Sequence, residues 1–383
     1  MAEIRLRGMT WDHSRGFDPM VATAREWSRR HPGVTIDWEK RSLQAFADRP
    51  IREMADAYDL MVIDHPHVGE VAAEGNLLAL DGLGRDAELA TLAAQSVGLS
   101  HPSYAFEGRQ WALAIDAATP VAAFRPDLIE AAPPRWEEAK ALARAGRVAF
   151  ALVPINALMT FFGLARNLGY PVAEDPERLM IRDHGAHVLA ELCEMAALVD
   201  PRCFACDPIA IYDWMGGAAE APAYSPFGYG YTNYSRDGYC AHPLVFADAP
   251  GVGDAGPRGT VLGGTGIAVS AFTRHPEAAV DYAFWIAGAE CQSGLYFGSG
   301  GQPAHAAAWD DGACNAACRD FFRNTRATLE TAWLRPRYNG YMSLQDRAGD
   351  LVQACLRGEA PAAGTLEALD RLYRETRHGE RQR

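Results

Sequence analysis

Two spacings of apolar residues alternate along the first 64 residues of the chain, and they predict its first elements. Ile4–Trp11 reads as a strand, followed by Phe17, Met20, Val21, Ala24 and Trp27 at helical spacing up to Arg30. Pro32-Gly33 stops that helix, and Val34, Ile36 and Trp38 alternate on one face of a second strand ending at Arg41. Phe46–Tyr58 is predicted as a second helix. Leu60-Met61-Val62-Ile63 is then an unbroken apolar run, as expected of a strand covered on both faces, and it stops on Asp64-His65-Pro66. This βαβαβ order predicts an α/β protein with a parallel, doubly wound sheet. Polar residues at the carboxyl end of a central strand in such a sheet line a ligand crevice.

The rest of the chain continues in shorter pieces. A helix is predicted to end at Gly75-Asn76, and two apolar strand runs meet at Asp116 within Trp111–Leu128, a candidate crossing between two lobes. Helices are predicted over Trp136–Ala145, Ala157–Leu168 and His184–Leu198, with a strand at Val148–Val153. Tyr224, Phe227, Tyr229, Tyr231, Tyr234 and Tyr239 are interleaved with Gly228, Gly230 and Asn233, pairing flat polar-tipped rings with backbone that admits close approach. Gly263-Gly264-Thr265-Gly266 precedes a strand and lacks the Lys-Ser/Thr of a phosphate loop, so it is read as a turn. His275–Ile286 opens a helix on Pro-Glu-Ala-Ala, the pattern from Ala313 onward is helical, and Arg374–Arg383 reads as a polar tail.

Length and charge narrow the classes. With 383 residues, the chain exceeds the size at which one core stops growing, so two lobes are expected. A formal net charge of −13 argues against a nucleic-acid surface. No run approaches the length of a membrane span. The N-terminus, Met1-Ala2-Glu3-Ile4, has neither a basic nor an apolar leader region. The expectation is therefore a cytoplasmic protein if that end is native, and a periplasmic or extracellular one if a leader was removed. Eight cysteines include Cys203-x-x-Cys206 and Cys314-x-x-x-Cys318. The pairs lie too far apart for a zinc knuckle, so reduced, partly buried thiols are expected, with no metal and no cofactor.

Four stretches carry a resemblance to a known family. They are Tyr58–Pro66 with Gly69 and Gly75-Asn76-Leu77-Leu78, the crossing Ala114–Leu128, the strand Gly263–Ala271, and the helix His275–Gln292 with its Glu290-Cys291-Gln292 end. In this order they resemble the family 1 extracellular solute-binding proteins of ABC importers, the maltose-binding type. The resemblance implies the type II periplasmic-binding-protein-like fold: two lobes, each a mostly parallel sheet flanked by helices, joined by a hinge of crossing strands. It places lobe 1 at 1–116 plus 268–308 and lobe 2 at 117–267 plus 309–383. It also implies hinge closure over a small polar ligand, sugar-like or a small organic acid, and an ABC permease as partner if the chain is exported.

Candidate ligand contacts follow from position. Asp12, His13 and Arg15 follow the first strand, and Asp64 and His65 end the third; in maltose-type relatives polar residues at these two strand ends contact ligand. Both acids also stand where a helix cap would be. Asp116 matches an acid in the crossing strands of such relatives, or is a hinge carboxylate bonded to backbone. Tyr229, Tyr231 and Asn233, spaced by two, would share one face of an extended segment as an aromatic wall, or pack in the core. Gln302, in Gly298–Pro303, is placed at the cleft edge. Trp11, Trp214 and Tyr341 are read as core or rim. An alternative function is a cytoplasmic enzyme reusing the cleft for acid–base chemistry on a small organic or aromatic substrate. Its candidate catalytic residues are Asp64, His65, His13 and Asp116, with Cys240 as a conceivable nucleophile.

Overall fold

The computed structural model describes residues 3–41 and 51–378. The described residues form two compact units: those within 1–117, 263–314 and 337–339 make the first, and those within 118–262, 315–336 and 340–383 the second. The sequence places the exchanges after residues 116, 267 and 308. The units divide after 117, 262 and 314, and Arg337–Asn339 returns to the first unit.

Unit 1 is built on a five-stranded sheet. Its strands are β1 (Ile4–Trp11), β2 (Val34–Arg41), β3 (Leu60–Asp64), β4 (Leu113–Ala114) and, at residues 265–269, a strand from late in the chain. The spatial order is β2, β1, β3, the late strand Thr265–Val269, then β4. β1 pairs in parallel with both β2 and β3, as the βαβαβ pattern predicts. The late strand runs antiparallel to β3 and to β4, pairing Thr265 with Asp64 and Gly266 with Ala114. Sequence period does not show that insertion, because it joins segments about two hundred residues apart.

β3 therefore has a neighbour on each side, and Leu60, Met61, Val62 and Ile63 are all buried. Helix α1 (Ser14–Arg30) begins three residues before the apolar period does, because His13 caps it. Helix α2 is described over Ile51–Ala57; the part of the expected helix at residues 46–50 lies outside the described residues. α3 (Val68–Glu74) ends at Gly75, whose left-handed φ of +66° suits the residue that closes a helix.

Unit 2 carries a three-stranded sheet of β5 (Pro120–Phe124), β6 (Tyr224–Tyr229) and β7 (Val245–Ala247), with β5 in the middle. Its ladders are antiparallel; a parallel bridge from Val148 to Tyr224 adjoins the sheet, and the parallel bridges Arg135–Gly251 and Val261–Trp333 lie outside it. Val148–Val153, expected as a strand, runs extended without a ladder. Beyond the Ala149 N–H bond to the Tyr224 carbonyl, its amides turn to Cys203 and Cys206 instead. Helices α4 (Trp136–Arg144), α5 (Pro154–Asn167), α6 (Arg182–Leu198) and α7 (Pro208–Gly217) surround the sheet. They are joined by α8 (Tyr341–Leu356), which packs on α5 and α6, and α9 (Ala362–His378), which packs on α6 and α8. The expected polar tail is thus helical as far as His378, and residues beyond it lie outside the described ones. Cys203, Cys206, Cys291, Cys314, Cys318 and Cys355 are buried, as expected of structural thiols.

One glycine in unit 1 is fixed by two constraints together. Gly264 has φ +98°, and an added Cβ would overlap the Asp116 carbonyl. Gly264→Ala is expected to cost roughly 2–4 kcal/mol through strain and overlap together. Urea unfolding should show this as a lower midpoint with an unchanged slope.

Candidate functional site

The carboxyl edge of the unit 1 sheet gathers most of the residues that sequence position singles out. Asp64 ends β3 opposite Thr265. The Thr265 N–H donates to the Asp116 carbonyl (3.0 Å), and the Asp116 N–H donates back to the Thr265 carbonyl (3.0 Å). Asp116 then bridges Pro303, and the Gln302 carbonyl accepts from the Ala117 N–H at 3.1 Å. Asp64, Thr265, Asp116 and Gln302 thus form one row across the strand ends. β1 runs parallel to β3, so Asp12 and His13 leave the sheet at the same edge.

Local chemistry sets each side chain. The His13 Nδ1 accepts the Arg15 N–H (3.0 Å), so the neutral ring carries its proton on Nε2. Its ring stacks on Trp11 with centroids 5.5 Å apart and planes 13° from parallel. Burial, helped by the Arg15 charge, lowers the His13 pKa from 6.5 to about 4. Protonating Nδ1 would also destroy the cap. Arg15 projects from the first turn of α1 into a bidentate fork on Asp116, with Nε to Oδ2 at 2.8 Å and Nη2 to Oδ1 at 2.5 Å. Both are shut from solvent, at 3% and 2% exposure. Burial pushes the Asp116 carboxyl above its ordinary value, and the Arg15 fork opposes that shift.

The remaining members differ sharply in access. The Asp12 side chain is half exposed and ion-paired with Lys40 at 2.7 Å. It does not cap α1; His13 does. Asp64 caps the short turn His65–His67 by accepting the His65 N–H at 2.8 Å, while keeping partial exposure. His65 is fully buried, its ring edge-on to Tyr104 at 6.2 Å. Gln302 is also buried and donates from Nε2 to the Ala117 carbonyl (2.8 Å). The expectation that Asp116, His65 and Gln302 face a ligand directly is therefore corrected. Segments distant in the chain cover them, and position at a strand end does not report cover. Arg15 is likewise a clamp on Asp116. Asp12, His13 and Asp64 remain the accessible polar groups of the row.

In unit 2 the tyrosine segment departs from simple alternation. β6 ends at Tyr229, and Thr232–Ser235 forms a turn of 3-10 helix. Tyr229 and Tyr231 continue an extended path, but Asn233 leaves it, so the three do not share one strand face. The ladder stops because the partner strand begins at Pro120, opposite Tyr229, and the Tyr212 hydroxyl takes up the Tyr229 carbonyl (3.1 Å). Tyr229 is half-buried, whereas Tyr231 packs edge-on against Tyr212 and Tyr234. Asn233 is buried, and its Oδ1 has no hydrogen-bond partner among the described residues. A buried amide oxygen without a donor is costly, which marks Asn233 as an acceptor awaiting one. Cys240 is not an activated nucleophile: burial pushes its thiol up, and its Sγ points at the His242 and Tyr234 carbonyls.

No family model matches the chain, and no curated protein matches it in sequence. Solved structures match it along nearly its whole length. The maltose-bound T. maritima MalE3 superposes with a TM-score of 0.83 at 14% identity, covering 98% of this chain and 99% of that one. An ABC transporter solute-binding protein from Agrobacterium radiobacter K84, in complex with ribitol, gives 0.79 at 18% identity, with 98% and 99% covered. The GacH receptor of Streptomyces glaucescens, solved unliganded and with acarbose, gives 0.79 at 16%, again with 98% and 99% covered. The chain therefore has the two-lobed α/β fold of these sugar-type solute-binding proteins, as the motif order predicts.

This geometry makes the clamp and the buried imidazoles testable. Removing Asp116 alone strands a buried guanidinium, so Asp116→Leu should cost about 3–5 kcal/mol, while Arg15→Met with Asp116→Leu should recover much of that loss. A double-mutant cycle in urea reads both. For pH, burial lowers the pKa of His101 as well as His13 from 6.5 to about 4. Between those values the unfolded chain takes up protons that the folded chain refuses. Their stabilising contribution is full above about pH 6.5 and is lost as pH falls towards 4. The melting temperature should fall through that window, and His13→Asn with His101→Gln should flatten the slope.

Proposed function

We propose that this protein is a solute-binding protein that closes its two lobes over a small polar ligand of the sugar or polyol class. The observation that carries the reading is the row at the unit 1 sheet edge. Accessible acceptors on Asp12 and Asp64 and the Nε2–H donor of His13 stand on strand ends held in place by the buried Arg15–Asp116 clamp. Carboxylates accept from hydroxyl groups and the imidazole Nε2–H donates to a hydroxyl oxygen, and a rigid base sets them before ligand arrives. Much of the charge in the row is compensated, since Asp116 faces Arg15 and Asp12 faces Lys40. That balance suits a neutral, hydroxyl-rich ligand better than an anion or a cation. The matching structures hold ligands of this kind, namely maltose, ribitol and acarbose. Within unit 2 we assign Asn233 as a ligand acceptor and Tyr229 as an aromatic surface.

In this role the protein partner is the permease of an ABC importer, and the protein works outside the cytoplasmic membrane. No helix among the described residues is long and apolar enough to cross a membrane. Acid–base catalysis is the weaker reading, because His65 is sealed and Asp116 is held in the Arg15 fork.

The test is a panel of neutral sugars and polyols, scored by thermal shift and calorimetry. A cognate member should raise the melting temperature, shrink the radius of gyration in small-angle scattering, and be recovered chemically unchanged. Asp64→Asn should weaken its binding about tenfold, equivalent to one charge-assisted hydrogen bond. Conversion of the ligand to a product would replace the receptor reading with the enzymatic one.

A further inference from the structure

A pocket lies within unit 2, at the end of the sheet away from Tyr229. Tyr229 pairs with Pro120, whereas Tyr224, at the other end of β6, pairs with Phe124 and bridges Val148. Beside Tyr224 opens a pocket of about 520 Å³ lined by Val148, Leu198, Pro222, Trp214, Asp200 and Glu220, among others. That volume suits a small organic molecule. None of these residues belongs to the row on the unit 1 sheet.

The charged lining residues of this pocket are both acidic. Asp200 and Glu220 are exposed carboxylates that form no ion pair among the described residues. Asp200 Oδ1 accepts only a backbone N–H, that of Arg202 at 2.9 Å. The 17-residue helix α6 ends at Leu198, directly on the pocket, with no basic residue in its last turn. Helix α4 ends just before Gly146, a second lining residue. Helix carboxyl ends carry partial negative charge, so α6 adds to the field of the two carboxylates, whereas α4 carries Arg144 in its last turn.

Of the nearby cations, Arg125 and Arg147 are committed elsewhere, and Arg202 lies against the pocket wall. The Arg125 guanidinium donates to the Met215 and Ala218 carbonyls (2.7 and 2.8 Å), and Arg147 donates to the Leu128 carbonyl at 2.6 Å. Arg202 lies on one face of Trp214, 3.3 Å from the ring centroid, and so fixes the indole as a wall. Val148, Leu198 and Pro222 complete an apolar lining.

An aromatic wall, apolar sides and two carboxylates that form no ion pair among the described residues are together the chemistry that holds an organic cation. We propose that this pocket is a second binding site, specific for a small organic ammonium ion. Its apolar body packs against Val148, Leu198 and Trp214, and its charge faces Asp200, Glu220 and the end of α6. The site is independent of the sugar or polyol site.

The test uses choline and its neutral isostere 3,3-dimethylbutan-1-ol, measured by calorimetry and saturation-transfer NMR on the full chain. Choline should bind in the millimolar range or tighter, with the isostere about tenfold weaker, because the shape is shared and the charge is not. Added salt should weaken choline and leave the isostere unchanged. Asp200→Asn combined with Glu220→Gln keeps the Asp200 cap, so the fold should hold, and it should reduce choline affinity about tenfold. Trp214→Phe should weaken choline less than Trp214→Ala. Asp64→Asn should leave choline binding unchanged, which separates this site from the other. Equal binding of the two probes, undiminished choline affinity in the double variant, or no choline binding at millimolar concentration would each overturn the proposal.

Discussion

The buried ion pair between Arg15 and Asp116 is the constraint on which the rest of unit 1 is arranged. Arg15 stands in the first turn of the first helix, and Asp116 is the next-to-last residue of unit 1 before the chain enters unit 2. Their fork ties the two positions across about a hundred residues of sequence. Such a pair seldom stabilises more than a well-packed apolar alternative, since two charges must leave water. What it supplies is register: a planar fork accepts a carboxylate in one orientation, so the strand end, the helix cap at His13 and the turn at Gly264 are mutually fixed. Gly264 is part of the same device, because only an absent Cβ lets the chain lie against the Asp116 carbonyl.

Much of this architecture is written in local pattern. The period of Phe17–Trp27, the alternation of Val34–Trp38 and the apolar run Leu60–Ile63 each respond to one buried face or two, and burial face is what spacing encodes. What spacing cannot encode is the late strand 265–269, inserted antiparallel beside β3, or the cover that loops place over a strand end. That is why Asp64 and His65, adjacent in sequence and equal as candidates, part company. Asp64 stays accessible, while His65 lies sealed beside Tyr104, a residue about forty positions away. Gln302 and Asp116 look like ligand groups in the sequence for the same reason, yet in the folded chain they bond within unit 1. Tyr229, Tyr231 and Asn233 illustrate a different limit. Their spacing by two is real in sequence, but alternation holds only while a partner strand continues, and β5 begins at the residue that pairs with Tyr229.

Charge compensation distinguishes the unit 1 sheet edge from the unit 2 pocket and underlies the ligand class proposed for each. A strongly acidic chain has carboxylates over much of its surface. Many of those described face an arginine or lysine at hydrogen-bonding distance, as in Arg5 with Asp37 or Lys140 with three glutamates. Such exposed pairs contribute little to stability, but they cancel local field. At the unit 1 edge the same cancellation leaves hydrogen-bond acceptors without much net charge. Hydroxyl donors gain there, and ions gain less. At the unit 2 pocket no ion pair among the described residues cancels Asp200 and Glu220, and the end of α6 points the same way. A neutral polyol gains nothing from that field, whereas a cation gains throughout it. The two proposed sites therefore differ less in the residue types present than in whether each carboxylate is paired by the protein itself.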